Sequence, residues 1–332
     1  MDKMYDEMMM PRRAYKIVDL AQVTKGEKVL ILCDYTTASI GKLLVSQVYQ
    51  MGALPIYTVI PPLESDGVPV PDPVAEMGMR VDVIIAPMSV NIAHTPLRTE
   101  ALNAGIRMLL LVGISEESLA SGLFDTDFHT ARVKCDEMAD LLGKAKVAKA
   151  TTSKGTDITM SLEGREGQSQ SGFAVKGVLS GPPNMEALCC PVEGTAEGKI
   201  VCDITALGLP PQLDFRNQLL SEPIEITVHQ GMAKEIKGGR EAKMLREFLE
   251  SLNDPTVYTI AELGVGMNPS VKTFNGTCLD EAVVGGIHIA IGENWCFPGG
   301  SLKSSGHYDF VISNVTLELD GKAVIKDGKQ FF

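Results

Sequence analysis

Three short segments toward the C-terminal end mix metal-competent side chains with glycines: AELGVGMNP at 261–269, GGIHIAIG at 285–292 and GHYDF at 306–310. His307 and Asp309 stand at i, i+2 where a strand begins. Both side chains then emerge on one face and can grip one ion, while Tyr308 points the other way. His288 sits between Ile287 and Ile289, where a lone imidazole needs a partner to offset its desolvation. Taken alone it reads as a satisfied core histidine, and Glu262 alone reads as a surface carboxylate ahead of a glycine-rich turn. Their conjunction says more: two histidines and two acids, each in an element whose glycines let backbone and substrate approach, read as a site. Mixed nitrogen and carboxylate donors suit zinc, manganese, cobalt or ferrous iron, and do not suit calcium or a thiolate centre. A divalent-metal centre is the expectation, with the reaction left open.

The elements that must position these residues follow from pattern. Between Lys28 and about Lys149, short apolar runs (Val29–Cys33, Pro55–Ile60, Val81–Pro87, Met108–Val112) alternate with helical stretches (Ser39–Met51, Pro96–Ala104, His129–Leu142). This is the rhythm of a layered βαβ domain with a mostly parallel sheet. No GxGxxG follows the first run, so a Rossmann-type dinucleotide has no support. Past Thr151 the pattern turns to shorter β-like stretches (Asp157–Leu162, Lys199–Ile204, Ile224–Val228, Met232–Ile236) with one amphipathic helix, Arg240–Leu252, ended by Asn253-Asp254-Pro255. A final hairpin joins Tyr308–Leu319 to Ala323–Ile325 through Asp320-Gly321. The fold class is therefore α/β: an N-terminal βαβ domain at 1–150, followed by a mixed α+β metal-binding domain at 151–332. A chain of 332 residues suits two such domains.

Composition excludes several classes. Thirty basic against forty-two acidic residues give a net charge of −12, and no Lys/Arg cluster is dense enough to track a phosphate backbone, so nucleic acid is not an expected partner. No run reaches the 18 or more apolar residues of a membrane span, and Met1–Met10 lacks the apolar stretch of a signal peptide. Seven cysteines without a CxxC pair fit reduced, buried thiols in the cytoplasm.

The three C-terminal segments, in this order, resemble the metal-binding signature of the aminopeptidase T-type (thermophilic leucyl-aminopeptidase-like) metallopeptidases. That resemblance implies two metal ions held by two glutamates, two histidines, an aspartate and a tyrosine. Glu262, His288, His307 and Asp309 match four of those positions, and Glu186 in PNMEAL looks similar to the first glutamate. Where the tyrosine is expected the chain has Trp295, whose indole N–H cannot bind a metal. His94-Thr95-x-x-Arg98 resembles a segment lining the cleft in this superfamily, which makes His94 a candidate acid, base or substrate contact and Arg98 a candidate carboxylate clamp. Read locally, the same stretch is a surface histidine ahead of a helix capped by Thr95.

A second resemblance is to the 2,5-dihydroxypyridine dioxygenases on the same scaffold, through Asn253-Asp254-Pro255-Thr256-Val257-Tyr258. It implies one ferrous ion on two histidines and an aspartate, with a histidine in place of Glu262 and apolar residues in place of Glu186 and His288. Two enzymatic expectations result. The first is an aminopeptidase-like metallohydrolase cleaving an amide bond of a small molecule or short peptide, with one or two ions activating water, Glu186 or Glu262 as general base, and His288, His307 and Asp309 as ligands. The alternative is a mononuclear ferrous ring-cleaving dioxygenase, using His307, Asp309 and either His288 or Glu262 as a facial triad, with Trp295 stacking on a planar substrate. A binding protein without turnover is the third reading. Both resemblances imply a homo-oligomer.

Overall fold

The computed structural model describes residues 3–93, 95–210 and 212–332. Two compact units divide the chain: Met1–Phe128 with Gly172–Pro183, and His129–Ser171 with Asn184–Phe332.

The first unit opens with α1 (Lys3–Leu20) and is built on β1 (Lys28–Asp34), α2 (Ala38–Gln50), β2 (Leu54–Ile60), α3 (Asp72–Gly78), β3 (Val83–Met88), α4 (Pro96–Asn103), β4 (Arg107–Val112) and α5 (Glu116–Ala120). Its four strands lie in the order β2-β1-β3-β4 and every neighbouring pair is parallel. β1 and β3 are the inner strands, and every residue after Lys28 in β1 and all of β3 is buried. Unbroken apolar runs are what a parallel strand covered on both faces requires. The sequence reading assigned no element to α1, whose Pro11 lies inside the helix. Arg13 holds that helix in place: its side chain is 1% exposed and its guanidinium pairs with Asp125 at 2.8 Å. The boundary expected at 150 differs from the observed division, in which residues 129–150 belong to the second unit and residues 172–183 return to the first. There Leu110 N donates to Ser180 O at 2.8 Å and Ala174 N to Leu20 O at 2.8 Å. Backbone hydrogen bonds between segments this far apart in sequence leave no compositional trace.

The second unit contains α6 (Phe128–Lys144), β5 (Val147–Thr151), β6 (Asp157–Ser161), β7 (Gln168–Gln170), β8 (Glu186–Cys189), β9 (Glu197–Cys202), β10 (Ile224–His229), β11 (Met232–Lys237) and α7 (Arg240–Ser251). It continues through β12 (Ile260–Gly266), β13 (Ile287–Gly292), β14 (His307–Ile312), β15 (Thr316–Leu319), β16 (Lys322–Lys326) and β17 (Lys329–Gln330). One antiparallel sheet runs β11-β10-β9-β6-β5-β15-β16-β17, and another runs β14-β13-β12-β8-β7. The α/β class is as expected, a parallel N-terminal sheet followed by antiparallel ones. α7 buries Ala242, Leu245 and Leu249 on one face, as its 3.6-residue spacing requires.

The expected strand Tyr308–Leu319 is two strands in two different sheets. The break lies at Ser313-Asn314, where Asn314 takes a φ of 49° and Ser313 is tied through its amide and hydroxyl to Asp203 at 2.9 and 2.6 Å. The hairpin proper is β15–β16, and its turn residues Asp320 and Gly321 both have positive φ, 50° and 79°, as a two-residue hairpin turn demands. Cys33, Cys135, Cys189, Cys190 and Cys202 are buried, while Cys278 is exposed. Burial pushes the Cys189 thiol up to about 12 and that of Cys190 higher still, so both behave as small hydrophobes.

Candidate metal centre

The five-stranded sheet brings the candidate residues together through its register. Antiparallel pairing sets Glu262 opposite Ala290, Gly264 opposite His288, Ala290 opposite Asp309, and Gly292 opposite His307, while Gly266 pairs with Glu186 on the far side of β12. Directly paired residues project from the same face. Each metal-competent side chain therefore faces a neighbour reduced to glycine or alanine, and that alternation opens the room a site needs. Gly264 is the extreme case: a Cβ there would lie 2.0 Å from Cε1 of His288, so the imidazole lies across a backbone with no side chain in its way.

Within this space His307 Nε2 lies 3.0 Å from Glu262 Oε2 and 3.2 Å from Asp309 Oδ1. His288 Nε2 lies 3.4 Å from Glu262 Oε1 and 3.2 Å from Glu186 Oε2. Glu262 thus stands between the two imidazoles, one oxygen toward each. The other face of His307 is fixed, since its Nδ1 is 2.7 Å from the Glu293 carbonyl oxygen and the Phe297 ring packs 5.5 Å from the imidazole centroid. Donation from Nδ1 to that carbonyl leaves Nε2 as the free lone pair, the usual way a ligating histidine is oriented.

The donor set fits a divalent cation on three grounds. Metal bonds of about 2.1 Å place neighbouring ligand atoms about 3.0 Å apart at right angles and about 3.4 Å apart at the tetrahedral angle; the four separations span 3.0 to 3.4 Å. Three triplets have ligand atoms within 4.8 Å of one another: Glu186–Glu262–His288, Glu262–His307–Asp309 and Glu281–His288–Asp309. Oε2 of Glu186 and Nδ1 of His288 are buried without a hydrogen-bond partner, a cost that proteins rarely bear without a purpose.

Electrostatics point the same way. Burial pulls the two imidazoles down, but the carboxylates around them outweigh it. His288, facing Glu262, Glu186 and Glu281, is raised to about 10, and His307, facing Asp309 and Glu262, is raised well above its usual value. Burial lifts Glu186 to about 7 against the pull of His288. Burial works against Glu262 too, yet its bonds to both histidines hold it below the usual carboxylate range. Without a metal, protons supply the positive charge that this cluster demands; a divalent cation supplies it with ligands in place.

Glu186, Glu262, His288, His307 and Asp309 are all brought together. Glu281 joins them and was not singled out from the sequence. It belongs to a short helical turn, Cys278–Ala282, with no metal-site motif around it, and burial together with nearby Asp309 raises its carboxyl well above the usual range. Trp295 is partly buried on the loop leading into β14, its indole N–H donating to Glu293 Oε2 at 3.0 Å. Arg98 is a partly buried residue of α4 in the first unit, and His94 lies outside the described residues. Thr95 occupies the N-cap of α4 in an extended conformation, but its hydroxyl donates to the Ile92 carbonyl at 2.7 Å and does not cap the helix.

A family model described as NicX, 2,5-dihydroxypyridine 5,6-dioxygenase, matches residues 11–331. The chain belongs to that family. A relative named 2,5-dihydroxypyridine 5,6-dioxygenase from Pseudomonas putida is 29% identical over 245 residues, which is 71% of this chain and 67% of the relative. Among solved structures, 2,5-dihydroxypyridine dioxygenase from Pseudomonas putida KT2440 superposes with a TM-score of 0.80 at 23% identity, covering 97% of this chain and 96% of that one. AmpT from Thermus thermophilus superposes with a TM-score of 0.71 at 17% identity, covering 97% and 99%. The fold is thus shared with both groups that the sequence resembles. The metallohydrolase expectation, with its aminopeptidase and metalloprotease description, is corrected by the family match and by the named relative, both of which are dioxygenases. Imidazole and carboxylate donors serve hydrolytic and oxidative centres alike, so the ligand types by themselves do not separate the two. No helix among the described residues is long and apolar enough to cross a membrane.

Proposed function

We propose that the chain is a ferrous, ring-opening dioxygenase of a small hydroxylated aromatic or N-heterocycle, of the 2,5-dihydroxypyridine kind that its relatives' names state. The observation that carries this reading is the dioxygenase family match along residues 11–331. The second unit supports it with a buried cluster of imidazoles and carboxylates of the kind that ferrous centres use.

Glu262, His307 and Asp309 would hold the iron, and His288 is the fourth candidate beside them. When bound, ferrous iron supplies the site where dioxygen and an electron-rich ring meet and exchange electrons. The chain's own residues do the rest. The Glu293 carbonyl fixes the His307 ring so that Nε2 faces the centre. Glu186 is the proton acceptor in this reading: Oε2 has no hydrogen-bond donor and its raised carboxyl titrates near neutrality, where a general base works best. Glu262 serves less well as a base, because both of its oxygens face histidines. Trp295, held by Glu293, offers an indole face on which a planar ring can stack. Both oxygen atoms enter the product, so no external reductant is required. Buried free thiols suit an enzyme of the cytoplasm, and a homo-oligomer is the assembly we propose for it.

The test is oxygen uptake by anaerobically iron-loaded protein presented with hydroxylated pyridines and benzenes. Uptake should match ring loss mole for mole and should disappear on chelation and in His307→Ala. Loaded protein that consumes no oxygen with any such ring would remove the proposal.

A further inference from the structure

We propose that Asn294 is a positioning residue of the metal centre: clamped through Glu193 to Arg165, it fixes the loop whose Glu293 carbonyl sets the His307 ring, and so decides which nitrogen of that ring faces the metal. This rests on the reading of His307 as a ligand.

The loop that joins β13 to β14 closes around one side chain. Asn294 is 0% exposed. Its Oδ1 accepts from Ser301 N at 3.0 Å and from Leu302 N at 2.8 Å. Its backbone N donates to Leu302 O at 3.0 Å, and its carbonyl accepts from Phe297 N at 3.0 Å. Position 300 has to be glycine for the loop to fold so tightly, because a Cβ there would lie 2.0 Å from the Asn294 carbonyl oxygen and 2.9 Å from Oδ1. Glu293 N, donating to Gly306 O at 2.8 Å, closes the stem.

The other end of the same amide reaches out of the loop. Nδ2 donates to Glu193 Oε1 at 3.0 Å, and Glu193 Oε2 pairs with the Arg165 guanidinium, whose other arm donates to the Gly299 carbonyl. Glu193 follows β8, the strand that carries Glu186, and Arg165 precedes β7. The loop is therefore gripped at 294 and at 299 by groups that belong to other parts of the unit. Burial pushes the Glu193 carboxyl up, but the bonds from Asn294 and Arg165 outweigh it and hold it below the usual carboxylate range, so the link is ionic as well as hydrogen-bonded.

What the clamp holds still is the part of the loop that touches the centre. The Glu293 carbonyl accepts from His307 Nδ1 at 2.7 Å, and the Phe297 ring packs 5.5 Å from the imidazole centroid. Asn294 is the next residue after Glu293 and bonds the Phe297 amide, so it governs both contacts. A ring that donates from Nδ1 presents only Nε2 as a lone pair. A carbonyl that swings away frees the other tautomer and lets the ring turn.

Zn(II), which is diamagnetic, is the probe, loaded into the full chain. Its affinity is read by chelator competition, and the imidazole tautomers by ¹⁵N–¹H correlation spectra of protein labelled at histidine, with the His307 signals assigned by their loss in His307→Ala. Wild type should show His307 protonated at Nδ1 and zinc-bound at Nε2. Asn294→Asp keeps the acceptor for Ser301 and Leu302 but sets a carboxylate against Glu193; affinity should fall about 10- to 100-fold, and the His307 pattern should be lost. Adding Glu193→Gln reverses donor and acceptor across the same contact while leaving an oxygen toward Arg165, and both readouts should return to wild-type values. A folded Asn294→Asp with wild-type affinity and an unaltered His307 pattern overturns the proposal, whatever its melting temperature, as does a double variant no better than the single one. Should Asn294→Asp not fold, Arg165→Met removes only the outer link and is read in the same way: a loss in both readouts supports the clamp, and wild-type values overturn it. Neither readout involves oxygen, so failure of the clamp and failure of the dioxygenase reading are told apart.

Discussion

Replacing Gly264 by alanine tests how the sheet makes room for its ligands. The new methyl carbon would sit 2.0 Å from Cε1 and 2.1 Å from Nε2 of His288, whereas such atoms pack at about 3.5–4.0 Å. The ring must retreat by more than about 1 Å, yet it is 2% exposed and lies between Glu186 and Glu262. Overpacking of this kind costs about 1–3 kcal/mol, roughly 2–12 °C in melting temperature. A shift that large also takes Nε2 out of reach of a metal bond of about 2.1 Å. Disturbing how ligands are held lowers metal affinity about 10- to 100-fold, equivalent to about 1.4–2.7 kcal/mol. Calorimetric titration with Mn(II), paired with thermal melts in chelator and in excess metal, reads both effects. Gly181→Ala is the control, since the nearest atom to its added Cβ is the Leu110 carbonyl oxygen at 3.4 Å, and neither readout should change. A folded Gly264→Ala protein with wild-type metal affinity would refute the reasoning.

Three further outcomes follow from the same geometry. The raised histidines stabilise the metal-free fold below their ordinary value of 6.5, and that contribution is lost as pH climbs toward about 10 for His288; Glu186, raised to about 7, likewise disfavours the fold once it ionises. The melting temperature in chelator should therefore fall from pH 6.5 to 9 more steeply than in metal, and parallel curves would contradict the cluster's role. Trp295→Ala should raise KM about 2- to 10-fold through lost stacking with kcat within about twofold; because Trp295 is the chain's one tryptophan, substrate should quench wild-type emission, and a silent titration would count against it. Asp280→Asn turns an amide toward donors that Asp280 now accepts from, costing about 1–3 kcal/mol, visible in a denaturant melt as a lower midpoint at unchanged slope.

Local pattern carried much of the fold. The parallel-sheet runs and the later short strands appear within two residues of their expected ends, because apolar continuity and alternation are local signals of burial. The pairing of His307 with Asp309 was legible for the same reason, since a strand places i and i+2 together. What stayed hidden depends on long-range register. Nothing local says that Glu186 faces Gly266 across a strand pair, or that a turn anchored by Asp280 carries Glu281 to His288. The break at Ser313-Asn314 was missed because apolar alternation resumes directly after it. Reaction type was illegible from ligand chemistry, since imidazole and carboxylate serve hydrolytic and oxidative centres alike, and similarity along the whole chain separated them.

The most direct measurement is isotope labelling of the ring-opened product. Iron-loaded protein turning over a hydroxylated pyridine under ¹⁸O₂ in ordinary water should give product carrying both labelled atoms. Product labelled only when the solvent is H₂¹⁸O, with none from dioxygen, would mean that the centre activates water, and the dioxygenase assignment would be contradicted.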